Sequence, residues 1–565
     1  MEYSYLNDTL VILTATVAVV FLVLRIGLPP LVAYLTVGVL VGPYTLGLVS
    51  DVEHIRTFAE FGVVFLLFTI GLEFSATVLT RMKASVLGLG SAQVLLTAAL
   101  TTTAAMLLGL PLESALVIGA VVAMSSTALV TKQLADQVEL HTRHGRNSVG
   151  ILLFQDLMVV PFLILVSMLS GNSVEASTHI ILTALGQGVL VIMLIFAFGH
   201  WVLSPLFQAV ARFRSAELFT LTVLLLVLCS AWLTNQIGLT FALGAFLAGM
   251  MLSETEFKHQ VASDIRPFRD VLLGLFFVTI GMMLEVPVLP EIWSTVLLML
   301  LALILIKFLL VAVFCLLAGW NSAVSMRTGL ILAHGGEFGF AILILAMEGN
   351  ILSPIEGQIL LATMLFSMVL APIIIRYNAK ITTLLIPKQV QQSRQEIKSE
   401  IISNACQLNQ HVIVCGYGRI GQHSINYLSE HHIPCMAIDL DSIRVKNGMA
   451  GNKSVSYGDA CSLELLHACG LHRASALVIS MIDFNTAMKI ISRVRSVDTE
   501  LPIVVRTRKE LHLYQFYQAG ATEVVADTFG SDQMIDNDLL IRIGLTKTSE
   551  GLSGSDHLAD IFDKA

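Results

Sequence analysis

The chain has 565 residues, of which 55% are hydrophobic and 13% are charged, and its mean hydropathy is +0.80. A set of water-soluble domains is excluded, because their surfaces would need more charged residues, so most of the chain is predicted to lie in lipid. The net charge of -8 excludes a general nucleic-acid-binding role, since there is no excess of basic residues to neutralise phosphates.

Apolar stretches follow one another from Asp8 to about Tyr377, and most are long enough to cross a hydrocarbon core of roughly 30 Å. The first stretch is not predicted to be a cleaved signal, because no basic region precedes it. The thirteen predicted membrane-spanning helices cover residues 8–26, 29–48, 57–76, 84–109, 114–134, 149–169, 179–203, 216–235, 238–253, 270–285, 292–319, 323–348 and 355–377.

The distribution of basic residues predicts the orientation. Of the sixteen Lys and Arg residues up to Lys380, fourteen fall on one side of the membrane when the loops are assigned alternately to the two sides. Arg56 falls on the other side, and Lys307 lies inside a span. Because cytoplasmic loops carry the excess of Lys and Arg, the N-terminus is predicted outside and the C-terminal region in the cytoplasm.

An internal repeat is visible when the membrane region is shifted along itself by about 210 residues. Equivalent spans are then seven helices apart. Because seven is odd, the two halves would cross the membrane in opposite directions, as in secondary transporters with inverted repeats. Chance recurrence of small and apolar residues is the alternative. The matched pairs are residues 68–71 with 278–281, 40–42 with 247–249, Pro161 with Pro372, and 124–128 with 334–339.

Two matched segments interrupt apolar spans with polar or glycine residues, namely Ser125-Ser126-Thr127 in one half and residues 334–337 in the other. Free backbone groups are costly in lipid unless they line a protein cavity. Paired broken helices therefore predict the binding site, and a packing seam of small residues is the alternative for either segment alone. Glu73 and Glu337 either line the path or lie at a helix end, and His334 is either a pH sensor or a packing residue.

The clearest ionisable groups inside spans are Asp156 and Lys307. A charge at the bilayer centre costs roughly 2.5 to 3.5 kcal/mol, so such groups usually face a cavity or a partner. Burial disfavours the charged carboxylate, so Asp156 is predicted to hold either a proton or a small cation near cytosolic pH, with the Gln155 carbonyl as a second ligand. One carboxylate exchanging one proton for one monovalent cation would be electroneutral. A buried Asp156–Lys307 ion pair is the alternative.

The composition changes after Pro387. A polar, charged segment over 389–409 is predicted to be a helical or flexible connector, and from His411 short β-like runs alternate with helical segments, which predicts a parallel α/β sheet. The run 411–415 leads into Gly416-Tyr417-Gly418-Arg419-Ile420-Gly421, a glycine-rich turn that lets backbone amides approach a phosphate. Asp439 follows eighteen residues after Gly421, where a carboxylate binds ribose hydroxyls.

Four motifs together resemble the Kef-type potassium efflux systems of the cation:proton antiporter superfamily, over nearly the whole chain. They are Gly71-Leu72-Glu73, Ser125-Ser126-Thr127-Ala128, Leu153-Phe154-Gln155-Asp156 and residues 272–277, followed by a cytosolic nucleotide-binding domain. The resemblance implies a homodimer in the bacterial inner membrane, with two crossed broken helices. It also implies K+ as the exported ion, proton and K+ binding at Gln155 and Asp156, and Lys307 as a nearby charge.

The same resemblance implies control by glutathione or its conjugates, and in some systems an ancillary cytosolic subunit. Residues 257–270 resemble the family's acidic regulatory loop and retain Asp264, but they depart from it by carrying Arg266 and Arg269. Arg506 and Arg508 are candidate contacts for an acidic peptide, or are solvated residues at a strand end.

The C-terminal part resembles domains that regulate K+ conductance. That resemblance implies an adenosine nucleotide, AMP or NAD(H), bound by the glycine turn (Gly416, Gly418 and Gly421), by Asp439, and by Asp459 and Ala460 beside the adenosine. Arg419 is a candidate partner of a nucleotide phosphate, or an exposed helix residue. An empty or purely structural Rossmann-like domain is the alternative.

The overall prediction is an α-helical polytopic membrane protein with inverted-topology repeats and about 13 transmembrane helices, plus a cytoplasmic Rossmann-like α/β nucleotide-binding domain. The predicted boundaries are 1–384 for the antiporter domain, 385–409 for the connector, 410–545 for the nucleotide-binding domain and 546–565 for a mobile tail. The predicted function is ligand-regulated K+/H+ antiport and not an enzymatic activity. Na+/H+ exchange, a ligand-gated K+ channel and a tethered NAD-dependent oxidoreductase are the alternatives, and the channel is disfavoured because no T-V-G-Y-G filter occurs in the membrane region.

Overall fold

The computed structural model describes most of the membrane region and most of the C-terminal domain. Two of the predicted spans lie outside the described residues, 179–203 entirely and 57–76 for about half, as does the predicted tail 546–565. The described residues are 2–26, 29–49, 61–62, 64–69, 71–72, 84–137, 139–140, 142–170, 207, 209–210, 212–213, 215–236, 241–253, 255–406, 408–481, 483–507 and 512–526.

The described residues fall into two compact units, the first made almost entirely of residues up to Ile386 and the second mainly of residues from Pro387 onward. The first, here called the membrane unit, is helical throughout and begins its third helix after a π-helical segment, Ala84–Gly90. Its helices are α1 Glu2–Arg25, α2 Pro30–Val41, α3 Ser91–Leu107, α4 Leu112–Ala123, α5 Thr127–Asp136, α6 Arg143–Leu169, α7 Ala216–Gln236, α8 Phe241–Ser253, α9 Lys258–Met282, α10 Leu289–Leu317, α11 Ser322–Leu332, α12 Glu337–Glu348 and α13 Pro354–Leu385.

Seven helices of the described residues are long and apolar enough to cross a membrane, or eight if the bent pair α11 and α12 forms one span. The helices α2 and α8 are apolar but have only 12 and 13 residues. The described helices match eleven of the thirteen predicted spans in position. The total of thirteen stays a prediction, because the remaining two fall largely on residues outside the description.

The segment 257–270 is helical from Lys258 onward, so the prediction that it forms a loop is wrong, while a regulatory role of Asp264 stays a prediction. The helix α9 begins at Lys258 and runs without interruption through Asp264 and Pro267 to Met282. A proline at position 267 does not end it, because packing against neighbouring helices stabilises a helix beyond its local propensity. The charged first half of α9 therefore continues directly into the apolar second half.

Two spans are broken at matching places. The helix α4 ends at Ala123 and α5 begins at Thr127, where the Ser126 hydroxyl caps the new helix by accepting a hydrogen bond from Leu129 N at 3.3 Å. The helices α11 and α12 are separated by residues 333–336 and bent by 42°. At Gly336 an added Cβ would lie 2.5 Å from the carbonyl oxygen of Ser125, so only glycine lets the two breaks touch. The predicted broken helices are therefore present and cross each other.

Glycine contacts reveal the inverted repeat directly. A Cβ on Gly38 of α2, in the first half, would lie 2.0 Å from the carbonyl oxygen of Val278 on α9, in the second half. Conversely, a Cβ on Gly249 of α8, in the second half, would lie 2.0 Å from the carbonyl oxygen of Phe68, in the first half. The same contact thus occurs twice with the roles of the two halves exchanged, as a two-fold axis requires.

These contacts also correct the predicted alignment of the two halves. Phe68 and Val278 are equivalent with an offset of 210, as predicted. Gly249 is equivalent to Gly38 and not to Gly42, so the predicted match of 40–42 with 247–249 is wrong by four residues (42 − 38 = 4). Four residues are about one helical turn, and both glycines lie on the same face of α2.

The segment predicted as a connector is a helix that belongs to the second unit, here called the C-terminal unit. This helix, α14 Pro387–Ala405, buries Ile401 and Ala405 in the apolar core of that unit. Lys398 Nζ donates to Glu464 Oε1 at 2.8 Å, and the Arg473 guanidinium donates to the carbonyl oxygen of Ala405 at 3.1 Å. The described part of α14 is thus packed on the domain that follows it.

The C-terminal unit is a doubly wound α/β fold with six parallel strands in the order β3-β2-β1-β4-β5-β6. Its strands are buried on both faces, which explains their continuous apolar runs. The order reverses between β1 and β4, the position where such folds bind ligands. The elements are β1 His411–Cys415, α15 Arg419–Glu430, β2 Cys435–Asp439, α16 Ser442–Ala450, β3 Val455–Tyr457, α17 Leu463–Ala468, β4 Ala474–Ile479, α18 Phe484–Arg495, β5 Ile503–Thr507, α19 Leu513–Gln518 and β6 Glu523–Ala526.

Candidate functional site

Lys307 lies at the point where the two broken helices cross and is fully buried. Its ammonium group donates to the carbonyl oxygens of Met124 and His334, both at 2.6 Å, and to the Ser125 hydroxyl at 2.8 Å. Met124 follows the end of α4, and His334 lies just beyond the end of α11. The cation therefore compensates the negative carboxyl ends of both half-helices. These three acceptors use all three ammonium hydrogens, so Lys307 does not form the alternative ion pair with Asp156.

Glu337 places a buried carboxyl group at the amino ends of the other two half-helices. It is the first residue of α12, its side chain is buried, and its Oε2 accepts a hydrogen bond from the Ser126 hydroxyl, which caps α5. Amino ends of helices favour a negative charge. The crossing therefore carries Lys307 at two carboxyl ends and Glu337 at two amino ends.

Asp156 lies on α6 and is buried against the first residue of α5. The Thr127 hydroxyl lies 2.9 Å from Asp156 Oδ1 and 3.2 Å from Oδ2. Ser126 and Thr127 are consecutive, so one turn of chain hydrogen-bonds two carboxylates, Glu337 through the first hydroxyl and Asp156 through the second. The structure brings together the predicted residues Asp156, Ser125, Ser126, Thr127 and Lys307.

Gln155 makes hydrogen bonds at the helix break, and its role as a K+ ligand stays a prediction. Its Oε1 accepts a hydrogen bond from the backbone N–H of Ser125 at 2.7 Å, and its Nε2 donates to Gln93 Oε1 at 2.7 Å. Gln155 is fully buried. The oxygen that was predicted to bind K+ thus satisfies a backbone donor that the helix break leaves free. Gln93, the one amide in the predicted span 84–109, was missed, although that isolation is a signal visible in the sequence.

In the second repeat, a different residue accepts the hydrogen bond of the backbone N–H that the helix break leaves free. There the backbone N–H of Gly335 donates to the Ser367 hydroxyl of α13 at 3.0 Å. Gln155 on α6 and Ser367 on α13 are therefore equivalent caps for the two helix breaks. The position of Asp156 is occupied by Phe366 in the second repeat at the offset of 210. The carboxylate is thus the feature that the two halves do not share.

A second polar cluster in the membrane unit joins residues distant in sequence, and the sequence analysis did not find it. Arg327 on α11 donates to both carboxylate oxygens of Glu139 at 2.6 Å, and its Nε donates to the side chain of Asn378 on α13. Glu139 also lies 3.0 Å from His144 Nε2. Burial alone would raise the pKa of Glu139, but the hydrogen bond with His144 and the charge of Arg327 outweigh it and lower that pKa to about 2. Glu139 is therefore ionised at physiological pH.

Asp264 is positioned on α9 and not on a loop. Thr220 of α7 donates to its Oδ2 at 3.4 Å, a long hydrogen bond between two helices. Arg269 donates to the adjacent Asp270 through Nε and the guanidinium nitrogen at 2.9 and 2.7 Å. The second basic residue that departs from the family pattern is thus already paired with a carboxylate beside it.

The glycine-rich turn of the C-terminal unit joins β1 to α15, as predicted. Gly416 has φ +101°, a conformation that favours glycine, and Gly418 caps α15. A Cβ on Gly421 would lie 2.0 Å from the carbonyl oxygen of Gly416. Gly416 therefore permits the tight turn, Gly418 leaves the amino end of α15 open to a ligand, and Gly421 lets the helix pack closely on the turn. Glycines have these three roles in dinucleotide-binding folds.

Asp439 lies at the end of β2 and holds this turn in place. Its Oδ2 accepts from the backbone N–H of Tyr417 at 2.5 Å, and its Oδ1 accepts from the backbone N–H of Asp441 at 2.6 Å. A guanidinium nitrogen of Arg444 lies 3.6 Å from Asp439 Oδ2. Arg444, which was not predicted, would also contact a Cβ on Gly418 at 3.5 Å. A cation therefore lies at the mouth of the crevice.

The remaining predicted residues of the C-terminal unit are divided between this edge of the sheet and its interior. The turn with Asp459 and Ala460 follows β3, and Gly458 N donates to the carbonyl oxygen of Asp439 at 3.1 Å, so this turn lies beside Asp439. Arg419 is exposed at the start of α15. Arg506 lies on β5 and is 5% exposed, which does not fit an open contact site for an acidic peptide. Arg508, like Glu73, lies outside the described residues.

The membrane unit combines two broken helices, related by an inverted repeat, with buried Lys307 and Glu337 at their paired ends and the buried Asp156 carboxyl group beside them. This combination is typical of secondary transporters with inverted repeats. The transmembrane sodium/hydrogen exchanger family matches residues 11–379, and the chain belongs to that family. A TrkA-N domain matches residues 412–527. The protein is thus a multi-pass membrane protein with a TrkA-N domain after its membrane unit.

Individual relatives agree with this assignment. The chain is 44% identical over 542 residues to a putative K(+) efflux antiporter KefB of Alkalimonas amylolytica, covering 96% of this chain and 82% of that protein. It is 39% identical over 535 residues to the chloroplastic K(+) efflux antiporter 1 of Arabidopsis thaliana, covering 93% of this chain and 44% of that protein. This chain therefore spans less than half the length of the plant relative.

Among solved structures, the sodium proton antiporter MjNhaP1 of Methanocaldococcus jannaschii has a similar fold. The TM-score is 0.50 at 16% identity, and the match covers 67% of this chain and 98% of that one. At this identity the likeness concerns the fold alone. It agrees with the predicted helical antiporter architecture.

Proposed function

We propose that this protein is a K+/H+ antiporter, a transporter and not an enzyme, in which Asp156 binds a proton and a K+ ion in turn. The observation that carries the proposal is the buried Asp156 carboxylate, hydrogen-bonded by Thr127 at the break of a crossed helix pair. Lys307 does not neutralise it, because the ammonium group is committed to two carbonyls and the Ser125 hydroxyl. K+ as the ion rests on the relatives named as K(+) efflux antiporters.

The proposed exchange is electroneutral. In this scheme Lys307 and Glu337 keep their protonation states throughout the cycle. Asp156 then carries one negative charge, which either one proton or one monovalent cation neutralises. One half-cycle therefore moves a proton, and the other moves a K+ ion in the opposite direction. No net charge crosses the membrane in a complete cycle.

The test is flux in proteoliposomes that contain a pH-sensitive dye. A K+ gradient is expected to drive proton movement, and a potential imposed across the membrane is expected to leave the rate nearly unchanged. A response to Na+ alone would favour Na+/H+ exchange. Large K+ currents without proton movement would favour a ligand-gated channel, and either outcome would contradict the proposal.

We infer that the C-terminal unit binds an adenosine nucleotide, AMP or NAD(H), as a regulatory ligand. Supporting this is the convergence of the glycine turn, Asp439 and the Asp459 turn at the carboxyl edge of the sheet, beside its switch point. Because both Asp439 oxygens accept backbone hydrogen bonds, Asp439 orders the turn as well as facing the ribose position. Arg444 and Arg419 are the cations available to a phosphate there.

Two alanine substitutions in the glycine turn should separate binding from folding. Gly418→Ala is expected to leave the melting temperature unchanged, since the nearest atom to its Cβ is 3.5 Å away on the flexible Arg444 side chain. It should weaken nucleotide binding about tenfold, because the Cβ blocks the approach of a phosphate to the backbone. Gly421→Ala should destabilise the fold itself by roughly 1 to 3 kcal/mol.

The two variants are compared in the full chain by calorimetric nucleotide titration and by thermal melting. The Gly421→Ala variant is the matched control, because it alters the same turn with the same added methyl group. Equal affinities of Gly418→Ala and the parent protein would remove the glycine turn from the nucleotide site.

The proposed assembly and location follow the family. We propose a homodimer in a bacterial inner membrane, with the N-terminus outside and the C-terminal unit in the cytoplasm, in agreement with the one-sided distribution of Lys and Arg. Glutathione or its conjugates and an ancillary cytosolic subunit are proposed regulators. Buried Arg506 is a poor candidate for contacting glutathione, so the regulator is expected to bind elsewhere in the C-terminal unit.

A further inference from the structure

One guanidinium nitrogen of Arg444 lies beside both parts of the proposed nucleotide site. This nitrogen, Nη1, is 3.6 Å from Asp439 Oδ2 and 3.5 Å from the position that a Cβ on Gly418 would take. Asp439 ends β2, where a carboxylate binds ribose hydroxyls, and Gly418 caps α15, where a phosphate approaches the backbone. The nitrogen therefore lies between the ribose contact and the phosphate contact.

A second carboxylate holds the other side of this guanidinium. Asp441 Oδ2 lies 3.5 Å from Arg444 Nε. Asp441 is itself fixed, because it caps α16 by accepting hydrogen bonds from the backbone N–H groups of Ile443 at 3.0 Å and Arg444 at 3.4 Å. The Arg444 side chain is 45% exposed, so Nη1 has room to turn toward a different partner while Nε stays near Asp441.

Ribose and Arg444 compete for the same carboxylate oxygen. Asp439 Oδ2 already accepts a hydrogen bond from the backbone N–H of Tyr417 at 2.5 Å. A carboxylate oxygen has about two acceptor positions. A ribose hydroxyl that binds Oδ2 therefore displaces the guanidinium from it. Adenosine by itself offers no anion in exchange, so its binding loses an ion pair.

A phosphate on the ligand gives Arg444 a new partner. The amino end of α15, a helix of 12 residues, has no side-chain cap, and its backbone N–H groups favour an anion. A phosphate bound there lies beside Gly418 and so within reach of Nη1. Hydrogen bonds between a guanidinium and a phosphate are charge-assisted and often bidentate. A nucleotide thus replaces the long contact of Arg444 with Asp439 by a stronger one.

We propose that Arg444 is a specificity-determining residue, which makes the C-terminal unit select adenosine ligands with a 5′-phosphate over adenosine itself. The proposal rests on the nucleotide site proposed above. Arg444 exchanges Asp439 for the phosphate of the ligand, and the ribose takes its place at Asp439. A purely structural role of Arg444 would change the affinities for adenosine and for AMP by the same factor, whereas this exchange changes their ratio.

The experiment is calorimetric titration of the purified full chain with AMP and with adenosine. For Arg444→Gln, the affinity for AMP is expected to fall about tenfold, while that for adenosine stays equal or rises because the competing ion pair is gone. Arg444→Lys keeps the charge, so its preference for AMP should stay within about threefold of the parent value. Lys446→Gln, an exposed cation on the same helix, is the matched control and should keep both parent affinities.

Three results would overturn the role of Arg444 and leave the nucleotide site standing. They are equal affinities of the parent protein for AMP and adenosine, an unchanged affinity of Arg444→Gln for AMP, and a loss of both ligands by the same factor in that variant. Adenosine 2′-monophosphate is the third ligand titrated, and tighter binding of it than of AMP would overturn the assignment to a 5′-phosphate. A parent protein that binds none of the three ligands would contradict the nucleotide site itself.

Discussion

Asp156→Asn is expected to abolish K+-driven proton movement while the protein remains folded. The asparagine keeps an oxygen that accepts the Thr127 hydrogen bond, so the contact between α6 and the start of α5 is retained. It has no group that titrates, and a neutral amide cannot neutralise a cation. Because a buried charge has been removed, stability should be equal or higher. The measurement is the dye signal in proteoliposomes, which should fall to that of empty liposomes.

The control for this prediction is Asp270→Asn, which removes an exposed carboxylate of the same unit. That variant should exchange K+ for protons at the parent rate. If Asp156→Asn retained even a tenth of the parent flux, the proton would have to be carried by another group. The antiport scheme would then need a different carboxylate.

Lys307→Met is expected to have the largest effect on stability. Methionine has nearly the same length but leaves the carbonyls of Met124 and His334 and the Ser125 hydroxyl without their donor. Each buried polar group left without a partner costs roughly 1 to 3 kcal/mol, and the carboxyl ends of two half-helices lose their compensating charge. The variant should therefore unfold at a clearly lower temperature in detergent and lose transport with it.

Lys380→Met is the matched control, since Lys380 is exposed near the end of α13. A surface substitution of this kind usually changes the free energy of unfolding by less than about 0.5 kcal/mol. Equal melting temperatures for the two variants would mean that the three hydrogen bonds of Lys307 do not stabilise the crossing. The electrostatic account of the helix breaks would then be wrong.

The sequence located the charged residues of the crossing well and their partners poorly. Asp156 and Lys307 were found because an ionisable residue within an apolar span is costly and therefore conspicuous. Their separation was not predictable, because which acceptors an ammonium group reaches depends on how distant helices pack. The hydrogen bond of Gln155 with the backbone N–H of Ser125 was not predictable either, since that N–H becomes free only when the helix breaks. The role of Gln155 as a K+ ligand stays a prediction.

The errors in the fold have similar physical origins. Gly42 was matched in place of Gly38 because residues four apart lie on the same helix face, so a pattern of small residues fits equally well one turn away. The segment 257–270 was predicted as a loop from its resemblance to the family's regulatory loop, but α9 continues through it. The strand-turn-helix with Gly416, Gly418 and Gly421 was predicted correctly, because a local backbone geometry demands glycine at these positions.

The three hydrogen bonds of Lys307 have a mechanical consequence for the transport cycle. One ammonium group holds a carbonyl of each break, at Met124 and at His334, so the two breaks cannot part without leaving a buried charge unsolvated. Opening and closing at the crossing itself would therefore be energetically prohibitive at ordinary rates. An ion bound at Asp156 would instead be carried by displacement of the crossed pair together with α6, as one solid piece, relative to the other helices.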